Sequence, residues 1–171
     1  MIVGLIGSPR VGKDEVANFL VKYYNFKKIA FADQIKQEYF AYSKTDEREF
    51  EKLKKLGTCG EVRKELWNYS KMLKDKNGKD YFIKSVFNKI NKDDSWVITD
   101  IRTKLELKYV LDNNVTIFVV RKTNLINNIC ESELSIDNIK EFDTIINNQT
   151  LGKLEEKLRI FFGEKIYEIE R

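Results

Sequence analysis

The residues with the clearest chemical potential lie in the stretch GLIGSPRVGKDEV, residues 4–16. Gly7, Gly12 and Lys13 stand at the spacing of a phosphate-binding loop: glycine, four residues, glycine, lysine. Such a loop wraps its backbone around phosphate oxygens, and the N–H groups from about Arg10 to Lys13 donate to them. Lys13 would then reach the β- and γ-phosphates of a nucleotide. The alternative is a glycine turn that only joins a strand to a helix.

Asp14 departs from the usual loop, in which a Ser or Thr after the lysine binds magnesium. A carboxylate in the first helical turn gains about 0.3–1 kcal/mol from the helix dipole, but it also faces a polyphosphate of the same sign. A magnesium ion between the two anions would remove the repulsion, because carboxylate oxygens are good ligands for this ion. We therefore predict that Asp14 binds magnesium, directly or through water. A plain helix-capping role is the alternative.

The segments around the loop indicate an α/β fold. IVGLI (2–6) has the continuous apolar character of a strand that is buried on both faces. Further strands are predicted at 26–31, 96–101, 115–120 and 143–147, and helices at about 33–42, 103–112 and 151–161. The region 45–92 is lysine-rich and helical in character, and KIYEI (165–169) suggests an edge strand. Strands that alternate with helices predict a mostly parallel, doubly wound sheet with helices on both sides.

Composition bounds the class of protein. A chain of 171 residues, 42% of them apolar, suits one ordinary domain, and 31 basic against 27 acidic residues suit a protein that handles small anions. Histidine is absent, which excludes histidine-based acid–base, nucleophilic and metal chemistry. Cys59 and Cys130 fit no metal or redox spacing. MIVGLIG predicts a core strand rather than a targeting segment, and no apolar run approaches the ~20 residues that cross a bilayer. We therefore expect a cytoplasmic protein.

Six segments, in order, resemble the deoxynucleoside monophosphate kinases of tailed bacteriophages: GSPRVGKDEVANFL, FADQIK (31–36), GTCGEVR (57–63), VITDIR (97–102), ESE (131–133) and FDTIINN (142–148). The lysine-aspartate loop combined with the F-A-D-x-x-K and D-x-R segments is narrower than the loop alone. The resemblance implies a three-layer P-loop kinase fold with a mostly parallel five-stranded sheet. It also implies a helical acceptor-binding region at about 36–92 and a lid at about 121–141, all within a single domain spanning 1–171. Animal-type phosphomevalonate kinases are similar over the same segments.

The resemblance further implies which residues form the site. ATP-binding residues are expected along the loop and after the last strand: Gly7, Arg10, Val11, Gly12, Lys13, Asp14, Glu15 and Asn147. Acceptor-binding residues are expected in four later segments: Asp33, Lys36, Arg63, Trp67, Asp100 and Arg102. The cations acting on the transferred phosphate would be Lys13, Arg102 and Arg121, and the metal-binding carboxylates Asp14 and Asp100. Asn147 would approach the adenine edge.

Some of these residues have a structural alternative. Lys36 has the character of a solvated helix lysine. Trp67 and Tyr69 could stack on a base, but aromatic residues at helical spacing are more often core, and we favour core for both. Asp100 ends an apolar run, where other phosphate-loop enzymes carry an acid that orients magnesium, yet it could form a buried pair with Arg102 that only holds the strand end.

The implied activity is ATP- and Mg²⁺-dependent phosphoryl transfer to a deoxynucleoside 5′-monophosphate, in the cytoplasm of a bacterial host if the chain is phage-encoded. Neither polymeric nucleic acid nor a membrane is expected as a partner, and a homodimer is compatible with the resemblance. The lid residues 123–141 carry one cation, Lys140, so Arg121, alone or with Arg10, is expected to close over the transferred phosphate. The alternatives are a small-metabolite kinase, acting on phosphomevalonate or dephospho-coenzyme A, and a nucleotide-binding module without transfer activity.

Overall fold

The computed structural model describes residues 1–43, 46–55, 60–122, 142–147 and 150–169. Within these ranges the chain forms five strands: β1 (Ile2–Ile6), β2 (Lys27–Ile29), β3 (Trp96–Ile101), β4 (Thr116–Arg121) and β5 (Asp143–Ile146). It also forms seven helices: α1 (Lys13–Tyr24), α2 (Phe31–Ser43), α3 (Glu47–Lys55), α4 (Gly60–Asn77), α5 (Tyr81–Phe87), α6 (Lys104–Asp112) and α7 (Leu151–Ile169). Over the described ranges, none of these helices is long and apolar enough to cross a membrane.

The five strands form one parallel sheet in the order β2-β3-β1-β4-β5. Val3 of β1 lies opposite Val97 of β3 on one side and Thr116 of β4 on the other. The central strands β1, β3 and β4 are almost entirely buried, which explains their continuous apolar sequences. The predicted α/β class and five-stranded parallel sheet are confirmed, and the architecture is consistent with a three-layer arrangement.

The order of the strands positions the loop that follows β1. The chain leaves β1 toward β2 and β3 on one side of the sheet and later continues to β4 and β5 on the other. In open parallel sheets, ligands bind outside the carboxyl ends of the strands at the point where the strand order reverses. The segment between β1 and α1 therefore lies where this fold presents a binding crevice.

The chain divides into two compact units, residues 1–29 with 92–171 and residues 30–91. The first contains the sheet, and its core joins strands to α1 and α7 through Leu5, Leu20, Phe118, Leu158 and Phe162. Each of these side chains is 2% exposed or less, so α1 and the loop before it are anchored on a tightly packed base.

The second unit consists of α2, α3, α4 and α5 and, over its described residues, contains no strand. The helical character predicted for 45–92 is therefore confirmed where the structure describes it. One side chain each from α2, α3 and α4 builds a small core in this unit: Tyr39, Phe50 and Leu66.

The predicted edge strand KIYEI is wrong, because residues 165–169 are the last residues of α7. No proline or turn pair interrupts the chain after Leu158, and one helical glycine, Gly163, costs only about 1 kcal/mol relative to alanine. Extending an existing helix is also easier than nucleating a new element. The strand propensity of Ile and Tyr was therefore overridden by the helix that precedes them.

Some predicted features lie outside the described residues. These are the lid from 123 to 141, including the matching segment 131–133, together with residues 57–59 of the G-T-C-G turn, Cys130 and Asn148.

Candidate phosphate-binding site

The candidate site begins at the loop that joins β1 to α1. Gly12, the residue before the helix, has φ 102° and no side chain that could cap it. Arg10 at the tip is exposed and also has a positive φ of 67°, which non-glycine residues rarely adopt. The first-turn N–H groups of a helix have no partner within the helix, and they carry its positive end. The loop therefore presents backbone donors to an anion at the start of α1.

Close packing against the backbone requires glycine at position 7, and a positive φ favours glycine at position 12. A β-carbon on Gly7 would lie 2.5 Å from the carbonyl oxygen of Val120 and 2.8 Å from a methyl carbon of Val11. A β-carbon on Gly12 would lie 2.2 Å from Nδ2 of Asn147. The glycine spacing that the sequence shows thus corresponds to two tight contacts with the carboxyl ends of β4 and β5.

Lys13 lies over the loop. Its Nζ donates to the carbonyl oxygen of Gly7 at 2.6 Å and to that of Ser8 at 2.9 Å. The side chain is half-buried and Ser8 is buried, so the ammonium is held close to the loop backbone. The Lys13 ammonium and the start of α1 therefore lie together at the loop of residues 7–13.

Asp14 is the second residue of α1, and its side chain is 75% exposed. Its Oδ1 forms an ion pair at 2.5 Å with Nζ of Lys28, a residue of β2. Gly12 occupies the N-cap position, and Asp14 is an acidic residue of the first turn, where its charge favours the positive end of the helix. Sequence reasoning missed Lys28, because no spacing pattern links a strand lysine to a helix that precedes it.

Asp100 is 9% exposed near the carboxyl end of β3, next to β1. Arg102 follows the strand and is exposed. The chain turns away here because Thr103 and Glu106 form a capping box at the start of α6, and Glu106 also accepts from the Arg102 backbone N–H at 2.8 Å. Among the described residues no group of three or more Cys, Asp or Glu side chains could hold a metal ion.

Asn147 contacts the loop from the other side of β1 and is bonded to Arg121. Arg121 ends β4, and its carbonyl oxygen accepts from the Asn147 backbone N–H at 2.8 Å. The Asn147 side chain donates from Nδ2 to the carbonyl oxygen of Val11 at 3.0 Å. Glu15 is exposed in the first turn of α1, with Oε2 3.2 Å from where a Gly12 β-carbon would lie.

The candidate acceptor residues Asp33, Lys36, Arg63 and Trp67 belong to the second unit. The Lys36 side chain is 25% exposed, and its Nζ lies 3.4 Å from Asp33 and 3.9 Å from Glu51. These contacts hold an ammonium group near the start of α2.

Trp67 is not a core residue: it is 65% exposed, and the interpretation that we favoured from its spacing is wrong. Leu66 is the residue of α4 that packs into the core, and Trp67 lies about 100° further round the helix. Arg63 and Trp67, four residues apart, share an exposed face, and the Lys71 ammonium lies 5.6 Å from the Trp67 ring. Tyr69 is half-buried and packs against the small core, as predicted.

Neither the models of known protein families nor the curated protein sequences contain a match for this chain. The fold defines the class of this protein as an α/β protein with a five-stranded parallel sheet and a glycine–lysine loop after its central strand.

Proposed function

We propose that the protein transfers the γ-phosphoryl group of ATP to a deoxynucleoside 5′-monophosphate, giving ADP and the deoxynucleoside diphosphate. The observation that carries the proposal is the loop of residues 7–13. It follows the central strand of a parallel sheet, it opens a helix, and Lys13 lies over it. This is the context in which a glycine–lysine loop binds phosphate. The resemblance of six segments to phage deoxynucleoside monophosphate kinases supplies the substrate class.

The reaction needs no covalent intermediate. An oxygen of the acceptor phosphate attacks the γ-phosphorus, and the bond to the oxygen that bridges the β- and γ-phosphates breaks, so one P–O bond replaces another. The protein contributes mainly positioning and charge stabilisation. In the proposal, the loop N–H groups hold the β-phosphate, Lys13 leaves the carbonyls of Gly7 and Ser8 for the phosphates, and Arg121 and Arg102 stabilise the transferred group.

Two carboxylates fit the requirements of Mg²⁺, which prefers hard oxygen ligands. Asp14 is exposed in the first turn after the loop, and Asp100 is nearly buried at the end of the neighbouring strand. With at most two protein carboxylates, the remaining ligands would be water and phosphate oxygens, as is usual for this ion. When bound, Mg²⁺ would neutralise charge on the β- and γ-phosphates.

On the acceptor side, we assign the phosphate contacts to Lys36 and Arg63, with Asp33 orienting Lys36. The 3.4 Å pair with Asp33 supports this assignment, because it holds the ammonium in place before a phosphate arrives. The exposed Trp67 ring supports base stacking, since its face is not covered by the core. The proposal implies a cytoplasmic protein, because both substrates are there.

The experiment is a panel of acceptors. Purified protein is incubated with ATP and Mg²⁺ and one acceptor at a time: the deoxynucleoside and ribonucleoside monophosphates, phosphomevalonate and dephospho-coenzyme A. ADP release and the phosphorylated product are both measured, with Lys13→Ala as the control that should lose activity. Deoxynucleotide-dependent ADP release is expected. Release of ADP only with phosphomevalonate or dephospho-coenzyme A would identify a small-metabolite kinase. Binding of ATP without release of ADP for any acceptor would identify a nucleotide-binding module.

A further inference from the structure

We infer that Asn147 is a positioning residue of the phosphate loop and not a reader of the adenine base. It holds the backbone of Val11 and Gly12 so that the loop N–H groups face the phosphates. The inference rests on the proposed function in one respect, namely that the loop binds a polyphosphate. It changes the role that the sequence suggested for Asn147 and leaves its place in the site unchanged.

The first observation is a hydrogen bond across the chain. Nδ2 of Asn147 donates to the carbonyl oxygen of Val11 at 3.0 Å, although the two residues are 136 positions apart. Asn147 is itself anchored, because its backbone N–H donates to the carbonyl oxygen of Arg121 at 2.8 Å. Ile146, the preceding residue, is paired with Arg121 in the parallel register of β4 and β5. The loop is therefore tied to the carboxyl ends of two strands.

The second observation is the contact with Gly12. A β-carbon there would lie 2.2 Å from Nδ2 and 3.3 Å from Cγ of Asn147, so the carboxamide is packed directly against the glycine. The same glycine has φ 102°, the conformation that starts α1. A side chain that existed to read a base would not need to fill the space beside this backbone.

The geometry of the peptide unit links these contacts to the direction of the loop N–H groups. The described chain contains no cis peptide bond, so the Val11 carbonyl and the Gly12 N–H point in opposite directions from the same plane. Holding that carbonyl toward Asn147 directs the Gly12 N–H away from Asn147. The N–H groups that follow it open the helix. Asn147 thus prepares backbone donors for an anion before the anion binds, which lowers the cost of ordering the loop.

The test separates phosphate binding from base binding. The affinities of Mg²⁺-tripolyphosphate, ATP and GTP are measured by calorimetry for the wild type, Asn147→Ala and Thr144→Ala. Thr144 is the matched control, because it is an exposed residue of β5, the strand that Asn147 follows, and its hydroxyl donates to the Phe142 carbonyl. We expect Asn147→Ala to weaken tripolyphosphate and ATP equally, roughly 3- to 10-fold for one lost hydrogen bond, with an unchanged preference for ATP over GTP. Thr144→Ala should bind all three like the wild type.

A second variant guards against a loss of folding. Asn147→Asp keeps the size of the side chain but replaces the donor with an anionic acceptor opposite the Val11 carbonyl, and it should bind tripolyphosphate more weakly than Asn147→Ala. The affinities of both variants are measured under conditions in which circular dichroism shows the proteins to be folded. If Asn147 only stabilised the fold, the folded variants would bind tripolyphosphate as tightly as the wild type. If the variants lost affinity for ATP but not for tripolyphosphate, Asn147 would be a contact of the adenine base and the inference would be wrong. Unchanged affinities in both variants would also overturn the inference. If the wild type itself binds no tripolyphosphate, the proposed function fails as well.

Discussion

Replacing Gly12 with alanine should destabilise the protein, whatever the protein binds. Alanine in the left-handed region costs about 1–2 kcal/mol. Its β-carbon would also meet Nδ2 of Asn147 at 2.2 Å, so the carboxamide must move away and lose its bond to Val11. A net neutral hydrogen bond contributes about 0.5–1.5 kcal/mol. We therefore expect Gly12→Ala to lower the free energy of unfolding by about 1.5–3.5 kcal/mol.

The matched control has the opposite sign. Gly163 lies in the interior of α7, and a β-carbon there would have no atom within 4 Å. Alanine in an unstrained helix interior is favoured over glycine by about 0.5–1 kcal/mol, so Gly163→Ala should raise the free energy of unfolding. Urea denaturation followed by circular dichroism measures both variants on the same scale.

The double variant tests the cause. If the Asn147 carboxamide is what the new methyl group meets, Gly12→Ala should cost less in an Asn147→Ala background than in the wild type. Part of the cost remains, because the backbone strain at φ 102° does not depend on Asn147. A Gly12→Ala protein within 0.5 kcal/mol of the wild type, or strictly additive effects of the two substitutions, would refute this reasoning.

Three further predictions concern single side chains. Lys13→Ala should reduce turnover about 10²- to 10³-fold in a protein with an unchanged circular dichroism spectrum, and near-normal turnover would contradict its role. Lys28→Met should change the free energy of unfolding by less than about 1 kcal/mol, because the pair with Asp14 is largely exposed, and it should lower the Mg²⁺ concentration for half-maximal turnover. Asp14→Ala should raise that Mg²⁺ concentration. Identical Mg²⁺ titrations of Asp14→Ala and the wild type would exclude Asp14 as a metal ligand. Burial and the Glu38 carboxylate raise the pKa of Tyr81 above 10.0, so the protonated hydroxyl favours folding below pH 10.0 and this contribution is lost as the pH rises through the raised pKa. Tyr81→Phe should reduce the late component of the absorbance titration at alkaline pH, to which Tyr69 also contributes because burial raises its pKa, and an unaltered titration would count against this assignment.

The local patterns of the sequence predict the parts of the fold that depend on neighbours in the chain. The run IVGLI is apolar at every position because β1 is covered on both faces, and the glycine–lysine spacing describes a turn of fixed length. Both are properties of consecutive residues. The same is not true of the side chains that surround the loop.

Lys28 and Asn147 reach the loop only because of the order of the strands. Lys28 meets Asp14 from β2, and Asn147 meets Val11 from the end of β5. Neither partner is implied by spacing, since both contacts depend on how the chain passes from one strand of the sheet to the next. Trp67 shows another limit, because helical spacing predicted both Trp67 and Tyr69 as core residues, whereas only Tyr69 packs against the small core.

The two glycines of the loop do not by themselves distinguish a phosphate site from a turn that only connects β1 to α1. The Val120 carbonyl requires glycine at position 7, and the φ of 102° together with the nearby Asn147 disfavours a side chain at position 12, so the protein's own geometry explains both glycines. A turn that only joined β1 to α1 would need the same glycines. It would also be compatible with the Lys13 ammonium donating to the carbonyls of Gly7 and Ser8 at 2.6 and 2.9 Å, and with a helix start that lacks a side-chain cap because its N-cap residue is Gly12. Binding of tripolyphosphate, and its loss in Lys13→Ala, is therefore the measurement that separates the two functions of the loop.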